Sequence, residues 1–267
     1  MSIAPLPAHE SHRSFLSILC AFVNHIRATL ADLASAVALA ILFPFNEEKW
    51  LDPKKKADCN PNQTPILLIH GFLGSSNNWV YHRYRLIKAG YTNIFTVNLG
   101  DPRKSIEDYT EVVRKKVDEI KRITGQEDIV LVGHSMGGLV AQNYRYTAQG
   151  AQQHVKKIIT IGTPLHGTRI AHLASWISQA AKEMIFQSPF VERLQEMAAK
   201  DVDTKYDAIS TEPDHIVIPA SSAHGKRKDP KPLKATGHIS YLFSPSTAKH
   251  LVDSVKEAIP LAATLPV

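Results

Sequence analysis

The sequence predicts an α/β domain built on a mostly parallel sheet with helices on both faces. Three observations carry that expectation. Short runs of β-forming residues recur at Ile66–Ile69, Ile94–Val97, Ile129–Val132 and Lys157–Ile161, as expected of strands buried on both sides. Between them lie longer segments with apolar residues at three- and four-residue steps, the spacing of an amphipathic helix. The regular alternation of the two patterns is that of strand–helix–strand crossovers, which place successive strands parallel in one sheet.

The elements follow in order. Residues 14–26 (SFLSILCAFVNHI) and 33–45 (LASAVALAILFPF, closed by Pro44) are apolar runs separated by Arg27 and Asp32. Each run is shorter than the roughly 18–20 residues that a spanning helix needs. Arg13 ahead of the first run and Ala34-Ser35-Ala36 within the second resemble features of a signal peptide, although Glu10 makes the opening poorly basic. A docked helical extension, an interfacial membrane anchor and a cleaved leader all stay open. Residues 52–65 (DPKKKADCNPNQTP) read as a linker by composition. The expected division is therefore an N-terminal helical or membrane-associating segment over 1–60 and an α/β domain over 61–267.

Within that domain, residues 77–89 read as a helix ended by Gly90. Residues 105–123 form the clearest helix, with Ile106, Tyr109, Val113, Val117, Ile120 and Ile123 on one face and charged residues between them. A helix over 136–148 follows the third strand. Residues 165–203 break the alternation: they lack a strand and carry Trp176, Met184, Phe186, Phe190, Leu194 and Met197 at helix-compatible spacing. A strand near 205–210, a loop through 211–235 and a helix over 246–258 complete the chain.

Bulk properties narrow the function classes. At 267 residues, with 44% hydrophobic and 21% charged residues, the chain fits one α/β domain with insertions. Its net charge of +6 suits an anionic surface such as acidic lipid. The basic runs Lys54-Lys55-Lys56 and Lys226-Arg227-Lys228 accompany no nucleic-acid motif, so no nucleic-acid partner is expected. Two cysteines, Cys20 and Cys59, stand in no metal-ligand spacing, so no metal site is expected, while a disulfide between them stays open.

The chemistry concentrates at Gly133-His134-Ser135-Met136-Gly137. This G-x-S-x-G stretch follows a strand and precedes a helix, the context that lifts a serine clear of a sheet edge. Glycines on either side give the sharp turn room, and the helix N-terminus beside Ser135 offers free N–H groups to a developing oxyanion. A parallel sheet brings its strand ends to one edge, so the loop His70-Gly71-Phe72-Leu73-Gly74 can reach Ser135. The backbone N–H groups of Phe72 and Met136 would then form a two-donor oxyanion hole. His70 and His134 read as structural histidines.

A serine hydroxyl needs a base, and the base an orienting acid. In this topology both follow the serine in chain order. Asp214 in PDHIVIP, just past the strand near 205–210, and His238 in TGHIS, before the last helix, meet that requirement. The competitors are weaker: His215 adjoins Asp214, His224 lies in a basic loop, Asp207 falls inside a strand, and Asp203 and Asp229 remain as alternative acids.

With these residues in place, the chain resembles the α/β-hydrolase superfamily, and residues 65–260 are similar to bacterial lipases and esterases. HGFLGS at 70–75, GHSMGG at 133–138, IGTPLHGT at 161–168, PDHIVIP at 213–219 and TGHISYLF at 236–243 carry the resemblance by their order. It implies an α/β-hydrolase fold, a lid insertion at about 165–203, hydrolysis of acylglycerols or related lipid esters, and no cofactor. Exposed Trp, Met and Phe in the insertion would meet lipid; an ordinary helical insertion with a buried apolar face is the alternative. An acyltransferase or thioesterase on the same triad, or a non-catalytic lipid- or protein-binding member, would share the fold. The resemblance and the N-terminal runs together suggest a membrane-associated or secreted protein, with a cytoplasmic one left open.

Overall fold

A computed structural model describes residues 8–42, 52–201, 203–224 and 233–261, with side-chain exposure from residue 17 onward. Pro44, the Lys226-Arg227-Lys228 run and Asp229 lie outside the described residues. Five parallel strands form one sheet: β1 (Ile66–Ile69), β2 (Ile94–Val97), β3 (Ile129–His134), β4 (Val155–Ile161) and β5 (Lys205–Ile209), in the order β2-β1-β3-β4-β5. Every residue of β1, β2 and β3 is buried, which is why these strands read as unbroken apolar runs rather than alternating ones.

Alternate residues serve opposite faces. Leu67, Ile69, Phe95, Leu131 and Ile158 join one core with Val113, Val117 and Ile120 of the helix Ile106–Thr124 and Leu139 and Val140 of the helix Met136–Thr147. Ile66, Leu68, Ile94, Val130, Val132, Ile159 and Ile161 join the other with Trp79, Leu86 and, from the helix Pro245–Ala258, Leu251 and Val255. The helix Ile106–Thr124 is bounded as its sequence dictates. Ser105 Oγ accepts from the Asp108 N–H at 3.0 Å, the Asp108 carboxylate returns to the Ser105 N–H at 3.0 Å, and Gly125 ends the helix at φ 71°.

The largest difference from expectation lies at the N-terminus. The two apolar runs belong to one continuous helix, α1 (Ala8–Leu42, 35 residues), and Ser17–Leu42 is long and apolar enough by length and composition to cross a membrane. Arg27 and Asp32 interrupt the apolar composition but not the helix, because neither residue breaks backbone geometry. Its polarity is inverted relative to a core helix. Phe22, Ile26, Leu30, Leu33, Val37 and Ile41, at three- and four-residue steps, are exposed, whereas Asp32 and the buried Ser35 face the domain. The end of α1 is tied to the fold where Asn77 Nδ2 donates to the Leu42 carbonyl at 2.6 Å.

The linker composition after α1 does not give a detached segment. Asp52 accepts from the Thr96 N–H at 2.9 Å and hydroxyl at 2.8 Å, and pairs with Lys116 at 2.9 Å. Burial pushes the Asp52 carboxyl above its ordinary pKa against the opposing pull of Lys116.

The 165–203 insertion is divided in character. The helices Gln179–Glu183 and Pro189–Lys200 bury Ala180, Ala181, Val191 and Leu194. Met184 is buried, and Phe186, Phe190 and Met197 are half-buried, so the expected exposure of Met and Phe does not hold. Apolar exposure there is concentrated at Leu173, Trp176 and Ile177, with Trp176 82% accessible.

Candidate active site

Ser135 sits directly after β3 and caps the helix Met136–Thr147 with φ 53° and ψ −126°. A non-glycine residue in that region is strained, and the surrounding turn must hold it there. Two glycines make the turn feasible by removing side chains. A Cβ on Gly133 would lie 2.3 Å from the Gly138 nitrogen, and one on Gly137 would lie 2.2 Å from the Ile69 carbonyl oxygen. The Ser135 N–H donates to the Ile161 carbonyl at 2.9 Å, fastening the turn to the end of β4.

The triad candidates converge although 103 positions separate His238 from Ser135 and 24 separate it from Asp214. His238 Nε2 lies 2.9 Å from Ser135 Oγ, and His238 Nδ1 lies 2.9 Å from Asp214 Oδ2. With Nδ1–H donating to the carboxylate, Nε2 is left to accept a hydrogen bond from the Ser135 hydroxyl. The other Asp214 oxygen accepts the N–H groups of Ile216 at 2.9 Å and Val217 at 2.8 Å. Burial of Asp214 opposes its ionisation. The His238 ring and these two backbone donors outweigh burial and hold the carboxyl below its ordinary pKa.

The rings of His70, His134 and His215 make no hydrogen bond to the side chains of Ser135, His238 or Asp214. His70 Nδ1 lies 2.8 Å from its neighbour's Gly71 carbonyl and so donates, while Nε2 accepts the Leu99 N–H at 3.0 Å. His134 Nε2 donates to the His238 carbonyl at 3.0 Å. Burial lowers the pKa of His70 to about 4 and that of His134 to about 3, so both are neutral scaffolding. His215 points to α1, accepting no part of the Asp214 pair: its Nε2 lies 3.1 Å from Thr29 Oγ1. Asp207 is engaged with Lys157 and with the Ser254 hydroxyl. Asp203 lines a separate cavity with Arg145 and Lys200.

Ser135 and His238 open into an apolar cavity of about 540 Å³. Gly71 and Phe72 line it beside Ser135, and a Cβ on Gly71 would lie 2.8 Å from the Ser135 Cβ, which measures how closely the 70–74 loop approaches the serine. Ala171 and Leu173 of the insertion form one wall, and Leu39 and Ala40 of α1 another. Among the described residues no cluster of His, Cys, Asp and Glu is arranged to hold a metal ion. Cys20 and Cys59 are free thiols.

Sequence reasoning missed the part α1 plays here. Asp32 accepts backbone N–H groups from His238, Ile239 and Ser240. The available signal was Asp32 itself, an acid set between two apolar runs, which implies a polar partner.

A family model described as alpha/beta hydrolase fold matches residues 64–201, and the chain belongs to that family. A triacylglycerol lipase of Pseudomonas fragi is 28% identical over 111 residues, covering 40% of this chain and 36% of the relative; the match thus spans about a third of that relative's length. Lipase B of Aspergillus fumigatus superposes with a TM-score of 0.65 at 17% identity, covering 78% of this chain and 56% of that one. A mature lipase of Bacillus licheniformis superposes at 0.58 with 22% identity, covering 78% and 95% respectively.

Proposed function

We propose that this protein is a serine carboxyl-ester hydrolase of the lipase or esterase type, acting on acylglycerols or related lipid esters. The observation that carries the reading is the Ser135–His238–Asp214 chain of two 2.9 Å contacts at the floor of an apolar cavity. In the proposed reaction Ser135 Oγ attacks the acyl carbonyl as His238 Nε2 takes its proton. Asp214 fixes the imidazole and stabilises its cation. The backbone N–H groups of Phe72 and Met136 receive the oxyanion. His238 then returns the proton to the departing alcohol, and water, deprotonated by the same nitrogen, releases the acid from the acyl-serine. The relatives named triacylglycerol lipases support the substrate class.

The inverted polarity of α1 supports a site that works at a lipid surface. Its apolar residues form an outward stripe, and Leu73, Leu173 and Trp176 add exposed apolar area near the cavity. Asp32 and the Asn77–Leu42 contact fix the helix along the domain. We therefore favour a helix lying in the interface over one that crosses the bilayer.

A panel of p-nitrophenyl esters from acetate to palmitate tests the reading. Hydrolysis that falls by about 10⁴–10⁶ in Ser135→Ala and His238→Ala is the expected result. Retained turnover in a folded His238→Ala protein would show that the base is misassigned. Transfer to added alcohols outrunning hydrolysis would place the protein among acyltransferases instead.

A further inference from the structure

The loop carrying His238 is held by a group that the hydrolytic reaction does not use. Asp32 of α1 presents both carboxylate oxygens to three consecutive backbone N–H groups. Oδ2 accepts from His238 at 3.0 Å, and Oδ1 accepts from Ile239 at 3.0 Å and Ser240 at 2.8 Å. Hydrogen bonds to an ionised acceptor are stronger than neutral ones. Here they meet the main chain of the base itself.

The opposite side of the same residue is also fixed, because the His238 carbonyl accepts from His134 Nε2 at 3.0 Å. Both peptide groups flanking the His238 Cα are therefore pinned. The imidazole keeps only its side-chain torsions, and Asp214 and Ser135 set those. The close approach of Asp32 explains the glycine at 237: a Cβ there would lie 2.4 Å from the Asp32 Cγ. The loop is closed on itself as well, with the Gly237 N–H donating to Ser240 Oγ at 2.8 Å.

The same face of α1 reaches the loop of the acid. Thr29 donates its hydroxyl to the His25 carbonyl at 2.9 Å, so its oxygen is left to accept from His215 Nε2 at 3.1 Å. The His25 and His215 rings lie 5.3 Å apart. Positions 25, 29 and 32 follow one another at helical steps, which puts them on one face. His215 adjoins Asp214, so one helix touches the segments that supply both the base and the acid.

We infer that Asp32 is a positioning residue for His238, and that α1 is a working part of the active site as well as its approach to lipid. The inference rests on His238 being the base of the proposed hydrolysis. Asp32 touches no reacting atom and acts through the backbone of residues 238–240.

The test uses the full chain with a soluble short-chain p-nitrophenyl ester, so that membrane contact does not enter. Asp32→Asn keeps the shape but replaces one acceptor oxygen with an amide donor; Asp32→Ala removes the carboxylate. We expect kcat to fall about 10-fold in the first and about 100-fold in the second with KM little changed, the pattern of a mispositioned base. Added formate should restore part of the Asp32→Ala activity by occupying the vacated carboxylate position. The Nδ1 proton resonance of His238 in its bond to Asp214 should broaden or shift in both variants. Wild-type kcat in both variants would overturn the inference, as would lower activity with an unshifted His238 resonance and no formate response. A wild-type protein that neither hydrolyses the ester nor reacts with a fluorophosphonate would instead overturn the hydrolase reading.

Discussion

Ser135→Gly should leave the protein without hydrolytic activity and yet more stable than Ser135→Ala. Both substitutions remove the hydroxyl and its 2.9 Å contact with His238, so that loss cancels between them. They differ in the Cβ, which Ala retains at φ 53° and ψ −126° and Gly does not have. Holding a residue with a Cβ in that region costs about 1–3 kcal/mol. Glycine gives back about 0.4–1 kcal/mol through the greater freedom of its unfolded chain. The net expectation is about 1 kcal/mol in favour of Gly, or about 2–4 °C in Tm for a domain of this size. Urea unfolding of the two variants side by side measures the difference, with an unchanged slope confirming that the unfolded states are comparable. A Gly variant less stable than the Ala variant would show that the turn at Ser135 is not strained and would remove the main physical argument for a held nucleophile.

Three further outcomes are expected. His70 and His82 have their pKa lowered to about 4 and His134 to about 3, all by burial, against 6.5 for a free histidine. The unfolded chain therefore takes up protons that the folded chain refuses. Their contribution to stability is complete above pH 6.5 and lost as pH falls toward 4, at up to about 1.4 kcal/mol per pH unit for each histidine. The depressed pKa of Asp214 acts in the same direction at still lower pH, since its contribution is lost as pH falls through its lowered folded value. A urea midpoint that stays constant from pH 7 to pH 5 would contradict this. Gly137→Ala drives a Cβ to 2.2 Å from the Ile69 carbonyl oxygen and should cost more than about 3 kcal/mol, read from the same unfolding curves. Ala40→Trp fills cavity space from the exposed side of the wall that α1 provides. It should lower kcat/KM for long-chain esters by about 10-fold or more while sparing acetate and butyrate esters, and an unchanged chain-length profile would place the acyl chain elsewhere.

The parts of the fold legible in the sequence are those set by local pattern. The buried strands announce themselves because both faces of the sheet are covered, so Ile66–Ile69 and Ile129–Val132 carry no polar alternation. The turn at Ser135 is legible because its close backbone contacts leave room only for Gly133 and Gly137. Asp214 and His238 follow from strand ends sharing one edge, and the structure joins Asp214 to His238 and His238 to Ser135. The N-terminus is different. Asp32 reads locally as an interruption between two apolar runs, whereas its partners lie 206 to 208 positions away in the chain. No periodicity within residues 14–45 records that contact, and an apolar stripe on a helix reads the same whether it faces a core or solvent. The insertion shows the same limit: Trp176 and Met184 have similar sequence credentials, and packing alone exposes one and buries the other.

The most direct test of the central claim is intact-mass labelling of the full chain with a fluorophosphonate, followed by peptide mapping. A nucleophile activated by His238 and Asp214 predicts one label per chain, at Ser135, with loss of ester hydrolysis in proportion and with labelling abolished in His238→Ala. A folded protein that hydrolyses esters while Ser135 stays unmodified, or that is labelled equally well without His238, would contradict it.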